Sequence, residues 1–390
     1  MNEDRPTTPP DTVAVTAGRR QQGSSLAAPL WGTSTWQTEG LDDTRKRATG
    51  MRPGDFYSRY ANPTVRAFEE AIAELEGAEE ALAFASGMGA VASTVLALCS
   101  TGDHVVAQRQ LYAGTSAFLL GPCARLGIET TFVDGTAPGA FAAAVRPGRT
   151  MLVVAETPSN PRLDLVDLDE LGAISGPFTV VDSTFATPIG QQPLRHGVDL
   201  VLHSATKGIS GHNDATIGVI AGQRDLLDSI WAYSVLHGAS ASPYDAHSSL
   251  RGLRTLALRQ RHQAAVAMDV AETLRDHPGV AAVHFPGLAD HPQHELAVRQ
   301  LRCLPTVVAV DLAGGLDAAR TMLDTLRLAR PATSLGGPET LVCHSATSTH
   351  VSLTPEDQAA IGITPGLMRV SIGLEDNNDI VADLSRAIPL

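Results

Sequence analysis

The chain has 390 residues, of which 43% are hydrophobic, and a formal net charge of −13 at pH 7. This length exceeds what one hydrophobic core usually supports, so we expect two domains. The acidic balance and the lack of a long basic run argue against nucleic acid or an anionic membrane as a partner. A small charged metabolite fits this composition better.

The cysteines and the N-terminal segment point to a protein of a reducing compartment. The cysteines are widely spaced and lie mostly in apolar surroundings: Cys99, Cys123, Cys303 and Cys343. This pattern predicts reduced core thiols rather than a disulfide framework or a metal site. Residues 1–22 are polar and contain proline, unlike a signal peptide, and no run of about 18 apolar residues occurs. We expect a cytoplasmic protein.

The predicted elements begin after a flexible arm of about two dozen residues. Amphipathic spacing predicts a helix over 65–75. Apolar runs alternating with helical stretches then predict seven strands, at 81–85, 104–108, 128–133, 151–155, 178–182, 199–203 and 216–221. Such alternation indicates an α/β fold with a mostly parallel sheet covered on both faces. One long helix, 248–275, should lead to a smaller α/β domain with strands at 281–285, 306–312 and 368–372.

Two of the predicted strands end in a reactive side chain. Asp182 ends one strand, and Lys207 follows another after the hydroxyl pattern Ser204-x-Thr206. Ligands of α/β proteins gather outside the carboxyl ends of parallel strands, so these side chains should converge there. A lysine can form a Schiff base with pyridoxal phosphate, and an aspartate can keep the pyridine nitrogen protonated. Taken alone, the pair could equally be solvated charges at strand ends.

A glycine-rich turn supplies a third element of the same site. Ser86, Gly87 and Met88 follow the predicted strand 81–85 and precede a helix-like stretch. A strand, a turn of small residues and a helix N-terminus together aim backbone N–H groups at a phosphate. The turn, the lysine and the aspartate therefore predict one ligand, pyridoxal phosphate.

Longer motifs follow one another in a familiar order. They are residues 57–64, 85–88, 111–115, 156–161, 181–188, 203–207, 334–337 and 369–376. In these motifs the chain resembles the cystathionine γ-synthase, cystathionine γ-lyase and methionine γ-lyase family of pyridoxal-phosphate enzymes, from about residue 25 to the C-terminus. The resemblance implies a fold type I transferase with three parts. These are an N-terminal arm (1–60) that reaches a neighbouring subunit's site, a cofactor-binding domain (61–250) and a C-terminal domain (251–390) that binds the substrate carboxylate.

The resemblance also assigns roles at the cofactor. Lys207 would bind the cofactor and then remove the Cα proton, and Asp182 would stay a carboxylate on the ring nitrogen. Tyr112 would stack on the ring, where its phenol could also act as an acid or base near the leaving group. The cofactor phosphate would lie at Ser86, Gly87, Met88, Ser204 and Thr206.

Other implied contacts concern a partner subunit and the substrate. Tyr57 and Arg59 of a neighbouring subunit would reach the phosphate, which implies a dimer, commonly paired into a homotetramer. Arg369 would bind the substrate α-carboxylate because a guanidinium matches a carboxylate bidentately, with Asn160 and Ser334 assisting.

Departures from the family pattern bear on the substrate. Gly114 stands where methionine γ-lyases usually have cysteine, Thr333 where cystathionine-processing relatives usually have glutamate, and Gly208 where tyrosine usually follows the lysine. Thr333 would thus be a substrate contact without charge. His237 could lie near the pocket, although a surface histidine fits its sequence context better.

These residues predict γ-elimination from an L-amino acid that carries a thiol, or a non-sulfur group such as halide, at Cγ. Two alternatives stay open. One is γ-replacement on an activated homoserine ester, which uses the same residues. The other is a non-catalytic paralogue that only binds pyridoxal phosphate, and the joint presence of Lys207, Tyr112, Asp182 and Arg369 speaks against it.

Overall fold

The computed structural model describes residues 8–20 and 22–390 of the chain. The strands are β1 (Glu80–Phe84), β2 (His104–Gln108), β3 (Glu129–Val133), β4 (Thr150–Glu156), β5 (Phe178–Asp182), β6 (Leu200–His203), β7 (Gly218–Gly222), β8 (Val280–His284), β9 (Val307–Leu312), β10 (Arg330–Pro331), β11 (Leu341–His344) and β12 (Leu367–Ser371).

The helices lie between and around these strands. They are α1 (Pro10–Thr16), α2 (Leu41–Thr49), α3 (Pro63–Glu76), α4 (Gly87–Leu98), α5 (Ala113–Phe118), α6 (Ala140–Ala144), α7 (Leu168–Gly172), α8 (Thr187–Gly190), α9 (Arg224–His237), α10 (Pro243–Leu253), α11 (Leu256–Arg275), α12 (His294–Gln300), α13 (Gly315–Thr325), α14 (Pro355–Ala360) and α15 (Asn377–Ala387). A π-helical turn (Leu119–Cys123) and a 3-10 helix (Pro193–His196) complete the set. No helix in the described ranges is long and apolar enough to span a membrane.

The larger sheet has seven strands in the order β1-β7-β6-β5-β4-β2-β3. Only β7 runs against its neighbours β1 and β6, so the prediction of a mostly parallel sheet is confirmed. Strands β2, β6 and β7 are buried along their whole length, as expected when helices cover both faces. The order places β4, β5 and β6 side by side, so their carboxyl ends meet at one edge.

Local sequence signals fix the helices that border this edge. The side chain of Asn62 accepts a hydrogen bond from Thr64 N–H and caps α3, which begins with Pro63. Ser86 caps α4 in the same way, since its hydroxyl oxygen accepts from Gly89 N–H. The N-terminus of α4 is thereby placed directly after β1.

The smaller sheet has five strands in the order β10-β11-β12-β9-β8. The predicted strands at 281–285, 306–312 and 368–372 correspond to β8, β9 and β12, each within one residue at the ends. Sequence analysis missed β10 and β11, which have only two and four residues. Apolar side chains of this sheet and of α11, α13 and α15 form a separate core. The domain boundaries at residues 60 and 250 stay a prediction.

The single helix predicted over 248–275 is wrong, because the chain forms α10 and α11 with a break at Arg254 and Thr255. Their backbone N–H groups bond to the carbonyls three residues back, which tightens and ends α10. Gly252 lies so close to the Ser210 carbonyl that a Cβ would come within 1.9 Å of its oxygen. This close packing fixes α10 against the larger domain before the chain leaves it.

The flexible arm predicted for the first two dozen residues is also wrong for the part that the structure describes. Helix α1 packs on α3, and both Ala14 and Ala17 are fully buried. At Gly18, which has φ +68°, a Cβ would lie 2.1 Å from the Ala67 carbonyl oxygen. Small residues therefore let α1 approach α3 closely. Residues 1–7 and Gln21 lie outside the described residues.

Candidate functional site

A cavity of about 480 Å³ opens between the two sheets, at the carboxyl ends of β4, β5 and β6. Most of the predicted site residues line it: Ser86, Gly87, Met88, Tyr112, Asn160, Asp182, Ser204, Thr206, Lys207, Thr333, Ser334 and Arg369. Lining residues without a role predicted from the sequence are Val91, Thr115, Glu156, Thr184, Phe185, Thr216, Leu335, Ser348 and Thr349. The fold thus brings groups that are far apart in the sequence together around one cavity.

One end of the cavity is suited to an anion. Gly87 and Met88 form the first turn of α4, where backbone N–H groups have no partner within the helix. The helix dipole makes the same end positive. A Cβ on Gly87 would lie 2.9 Å from Ser204 Cβ, so glycine brings this turn against the Ser204 hydroxyl. Thr206 lies beside them, with its hydroxyl bonded to the backbone N–H and carbonyl of Ile217.

Asp182 is held at the end of β5 by Thr184. The Thr184 N–H donates to Asp182 Oδ1 at 3.0 Å, and the Thr184 hydroxyl donates to the same oxygen. The Thr184 oxygen in turn accepts a 2.8 Å bond from Ser204 N–H. Burial raises the pKa of Asp182, and the bonds from Thr184 oppose that rise. Thr184 was missed as a site residue, although its position two residues after an aspartate is typical of an Asx turn.

Lys207 makes its side-chain contact with the other domain. Its Nζ donates a 2.8 Å hydrogen bond to Ser334 Oγ. Burial, and then the positive charge of Arg369, lower the pKa of Lys207 to about 8. Ser334 has φ +81°, which is uncommon for a residue with a side chain and marks local strain. Because its pKa is about 8, the Lys207 amine is partly neutral near pH 7, as a general base requires.

Arg369 is a buried cation on β12, with 3% of its surface exposed. Its Nη1 donates to Asn160 Oδ1 at 2.9 Å and its Nη2 to the Ser334 carbonyl at 2.8 Å. Within the described residues its Nε has no hydrogen-bond partner. Ser334 thus accepts a hydrogen bond from Arg369 through its backbone carbonyl, and its hydroxyl oxygen accepts one from Lys207. A buried guanidinium held in this way beside a cavity can receive a carboxylate.

Tyr112 lies at the mouth of the cavity, with 42% of its surface exposed. Its backbone N–H donates to Glu156 Oε2 at 2.7 Å. A Cβ at Gly114 would lie 2.5 Å from Tyr112 Cε1, so this ring position requires glycine there. Gly114 therefore leaves room for the Tyr112 ring in this position. Glu156 ends β4 as Asp182 ends β5, and this shared position could have drawn attention to it in the sequence.

Tyr57 and Arg59 do not line this cavity. The Arg59 guanidinium lies over the rings of Tyr57 and Tyr60, 5.6 and 5.0 Å from their centroids, and donates to the Val235 carbonyl. Tyr57 is 41% exposed. A contact of Tyr57 and Arg59 with the cofactor phosphate of a neighbouring subunit stays a prediction.

His237 also lies outside the cavity. It ends α9 on the surface, where its Nε2 is 2.9 Å from Ser93 Oγ, so the interpretation as a surface histidine fits better. Ser93 belongs to α4, and this bond joins the two helices.

Gly208 packs in a confined space after the lysine. A Cβ there would lie 3.1 Å from the Thr187 methyl group. Its carbonyl accepts a 2.8 Å bond from Arg259, which is buried and also donates to the carbonyls of Ile209 and Gly252. Burial lowers the pKa of Arg259 to about 10. Arg259 therefore holds the segment after Lys207 against α10, a role that no sequence pattern suggested.

Comparisons with known proteins identify the family of the chain. The family model for Cys/Met metabolism PLP-dependent enzymes matches residues 11–389. The chain is 42% identical to the O-succinylhomoserine sulfhydrylase of Pseudomonas aeruginosa over 97% of this chain and 94% of that protein. It is 40% identical to an L-methionine gamma-lyase of Porphyromonas gingivalis over 93% of this chain and 92% of that protein.

A solved structure shows the same fold. It is a cystathionine gamma synthase from Xanthomonas oryzae pv. oryzae, 36% identical, with a TM-score of 0.91 over 97% of both chains. The resemblance, the fold class and the cofactor predicted from the sequence are confirmed. The chain belongs to the family of pyridoxal-phosphate-dependent enzymes of cysteine and methionine metabolism.

Proposed function

We propose that this enzyme catalyses γ-elimination from an L-amino acid with an uncharged group at Cγ. One water is consumed, and a 2-oxoacid, ammonia and the protonated leaving group are released. The observation that carries the proposal is the arrangement of the cavity. Lys207 and Arg369 line it together, while Thr333, Ser348 and Thr349 bring neutral hydroxyl groups.

The residues present fit pyridoxal phosphate. The N-terminal turn of α4 packs against Ser204 so closely that a Cβ on Gly87 would clash, which leaves backbone N–H groups to bind a phosphate. Asp182 lies in the same cavity, and both bonds from Thr184 reach its Oδ1, so Oδ2 can accept from a ring N–H. When bound, this cofactor supplies an aldehyde that condenses with amines and a ring that withdraws electrons from the amino-acid Cα.

Lys207 is the residue that moves protons. Its amine is partly neutral because burial and Arg369 lower its pKa to about 8. A neutral Nζ can accept the proton from the substrate Cα and return it at another carbon. The Ser334 hydroxyl, 2.8 Å from Nζ, orients the amine toward the cavity.

Arg369 orients the substrate. Asn160 and the Ser334 carbonyl fix two of its nitrogen atoms, so the guanidinium plane has little freedom to turn. A substrate α-carboxylate bound there would place Cα at a reproducible distance from Lys207. Such fixed orientation is a large part of what an enzyme contributes to a reaction rate.

The charged residues around the cavity favour a substrate with an uncharged leaving group. Of the described residues that line it, the ionisable acids and cations are Glu156, Asp182, Lys207 and Arg369, and each has a partner already named. Thr333 offers a hydroxyl where a charged substrate tail would need a charged partner. Burying a polar group without a hydrogen-bond partner costs roughly 2–7 kcal/mol, and burying a charge without a partner costs more.

The alternative is γ-replacement on an activated homoserine ester. The similarity to an O-succinylhomoserine sulfhydrylase, at 42% identity, favours it. The same residues would bind the substrate and move the proton. The sulfur of a thiol would bond to Cγ in place of the ester carboxylate, which would leave with the thiol proton as the free acid. A non-catalytic role fits less well, because the proton-accepting and carboxylate-binding groups are both in place.

We also propose that the enzyme works as a homo-oligomer, in which Tyr57 and Arg59 complete the phosphate site of a neighbouring subunit. Both residues lie outside the cavity of their own chain. A pair of dimers forming a homotetramer, and a cytoplasmic location, stay predictions from the sequence.

The proposed function is tested with the purified enzyme, pyridoxal phosphate and a panel of L-amino acids. The panel contains methionine, homocysteine, 2-amino-4-chlorobutanoate, cystathionine and O-succinylhomoserine. Each is assayed for ammonia and 2-oxoacid without a thiol and for the thioether product with an added thiol, with Lys207→Ala as the control. Ammonia from an amino acid with an uncharged Cγ group and no added thiol supports elimination. Turnover that depends strictly on a thiol supports replacement, and no turnover with any member overturns both.

A further inference from the structure

The Glu156 side chain joins two parts of the site. Its Oε2 accepts a 2.7 Å hydrogen bond from Tyr112 N–H, and its Oε1 accepts a 2.8 Å bond from Asn160 N–H. Tyr112 begins the turn into α5, whereas Asn160 follows β4 and accepts the bond from Arg369. The Glu156 carboxyl group therefore connects the backbone at Tyr112 to the backbone at Asn160, whose side chain accepts the bond from Arg369.

We propose that Glu156 is a positioning residue, which fixes Tyr112 and Asn160 at one spacing so that both act on the same bound substrate. The proposal rests on the proposed function for what these two residues do. Its structural part, that Glu156 anchors both segments, stands without it.

The geometry demands two acceptors. Both partners of Glu156 are N–H donors, so each side-chain oxygen must offer a lone pair. A carboxyl group does this whether or not it carries a proton. A glutamine of the same shape offers one oxygen and one NH₂ group, which would leave one backbone N–H facing another donor. An unsatisfied buried donor is costly, so one of the two segments would have to move.

The surroundings of Glu156 destabilise an ionised carboxyl group at this position. The residue is 4% exposed, and it is paired across the sheet with Asp182. Burial raises the pKa of Glu156 well above its usual range, and the Asp182 carboxylate adds to the rise. Its backbone N–H is also held, by Gln108 Oε1 at 2.8 Å. A buried acid beside another acid is a poor choice for stability alone, which favours a role at the site.

The test compares Glu156→Gln with Glu69→Gln by hydrogen exchange and mass spectrometry. Glu69 is a matched control, because it is also 4% exposed, accepts a backbone N–H from Ala83 and lies outside the cavity. We expect Glu156→Gln to speed exchange in segments 109–116 or 157–163 and not in 178–184. The control should leave all three segments at wild-type rates. This readout needs no substrate.

Kinetics supply the second readout. We expect kcat/KM of Glu156→Gln to fall about 10- to 100-fold, the size of effect that a small misplacement produces. A rise in KM would locate the damage at Asn160, and a fall in kcat would locate it at Tyr112. If Glu156→Gln does not fold, Glu156→Asp keeps two acceptors but withdraws both, and the same segments should exchange faster.

Wild-type exchange in both segments, or faster exchange spread over the whole chain as in a destabilised variant, would overturn the proposal. If the wild-type enzyme turns over no amino acid, the proposed function fails, and the exchange experiment still decides whether Glu156 anchors the two segments.

Discussion

Arg369, on β12 of the smaller sheet, donates a 2.9 Å hydrogen bond through Nη1 to Oδ1 of Asn160, which follows β4 of the larger sheet. The bond crosses between the two domains at the wall of the cavity. Because the arginine is 3% exposed, the contact is screened little by water. The position of the Arg369 guanidinium therefore depends on how the two domains pack.

Replacing Arg369 with lysine should weaken substrate binding. Lysine keeps the charge but cannot bond Asn160, the Ser334 carbonyl and a carboxylate in one plane. Hydrogen bonds to charged groups contribute about 1.5–3 kcal/mol each, so we expect kcat/KM to fall about 10- to 100-fold, mainly through KM. Steady-state kinetics check this, with the exposed Arg320→Lys as the control. An unchanged KM would contradict the carboxylate-binding role.

Replacing Asp182 with asparagine should leave the cofactor bound and slow the reaction. The amide oxygen can still accept both bonds from Thr184, but the negative charge is gone. Loss of one preorganised electrostatic interaction typically costs about 100- to 1,000-fold in kcat, and we expect a fall of that size. Absorbance of the bound cofactor should persist.

The matched control for this change is Asp199→Asn. Asp199 Oδ2 accepts from the N–H and the hydroxyl of Thr179, at 2.8 and 2.9 Å, but outside the cavity. Its kcat should stay at the wild-type value. Equal losses in both variants would mean that general damage to the sheet, and not the charge at the site, slows the reaction.

The sequence predicted those parts of the site that follow from one strand and its end. Asp182 and Lys207 were placed correctly at the sheet edge because parallel strands bring their carboxyl ends together. The turn at Gly87 followed from a strand and a helix adjacent in the chain. These are local rules, and they needed no knowledge of distant contacts.

Contacts between distant segments could not be predicted in this way. The bond from Lys207 Nζ to Ser334 Oγ joins residues 127 positions apart, and only the packing of the two domains creates it. Arg259 was missed because three of its hydrogen bonds go to backbone carbonyls, which cannot be recognised from residue types. The break before α11 lies beside the close contact of Gly252 with the Ser210 carbonyl, a tertiary contact that the helical pattern of the sequence does not show.

The attachment of pyridoxal phosphate to the apoprotein should depend on pH through Lys207. Burial and Arg369 lower its pKa to about 8, so below that pH the amine is mostly protonated and cannot attack an aldehyde. We expect the attachment rate to rise through about pH 8 and level off, rather than continue to rise toward the ordinary lysine pKa of about 10.4. Stopped-flow absorbance across this range measures it.

Arg369→Gln tests the electrostatic part of this explanation. Removing a neighbouring positive charge favours the ammonium form, so the pKa of Lys207 should rise and the midpoint should move to higher pH. The exposed Arg320→Gln should leave the midpoint in place. A midpoint that moves to lower pH in Arg369→Gln would contradict the assigned cause.

Adding a methyl group at Gly114 should displace the ring of Tyr112. The new Cβ would lie 2.5 Å from Tyr112 Cε1, and the exposed ring can turn away more easily than the backbone can move. We expect Gly114→Ala to lower kcat about 10-fold with little loss of stability, since misplacement of a positioned group is costly to rate. Gly121→Ala adds the same group where nothing lies within 4 Å and should be silent. Equal kcat in the two variants would show that the ring position does not matter.

Mixed oligomers can show whether Arg59 serves a neighbouring subunit. Arg59→Ala and Lys207→Ala should each be inactive, because each removes one part of every site. In a mixed dimer, however, one site combines the intact Lys207 of the first chain with the intact Arg59 of the second. Random pairing across a two-fold interface should restore about one quarter of all sites. Activity of the co-expressed and separately tagged variants measures this.

The control pairs Lys207→Ala with Asp182→Asn. Both residues line the cavity of their own chain, so no combination of subunits rebuilds an intact site. Because half of the chains lack Lys207, activity per chain should not exceed that of Asp182→Asn alone. If the Arg59 and Lys207 pair behaves like this control, Arg59 acts within its own chain. Its contacts with Tyr57, Tyr60 and the Val235 carbonyl would then be its whole role. Recovery only in the Arg59 pair requires a site shared between subunits, because only a second chain can supply the missing guanidinium.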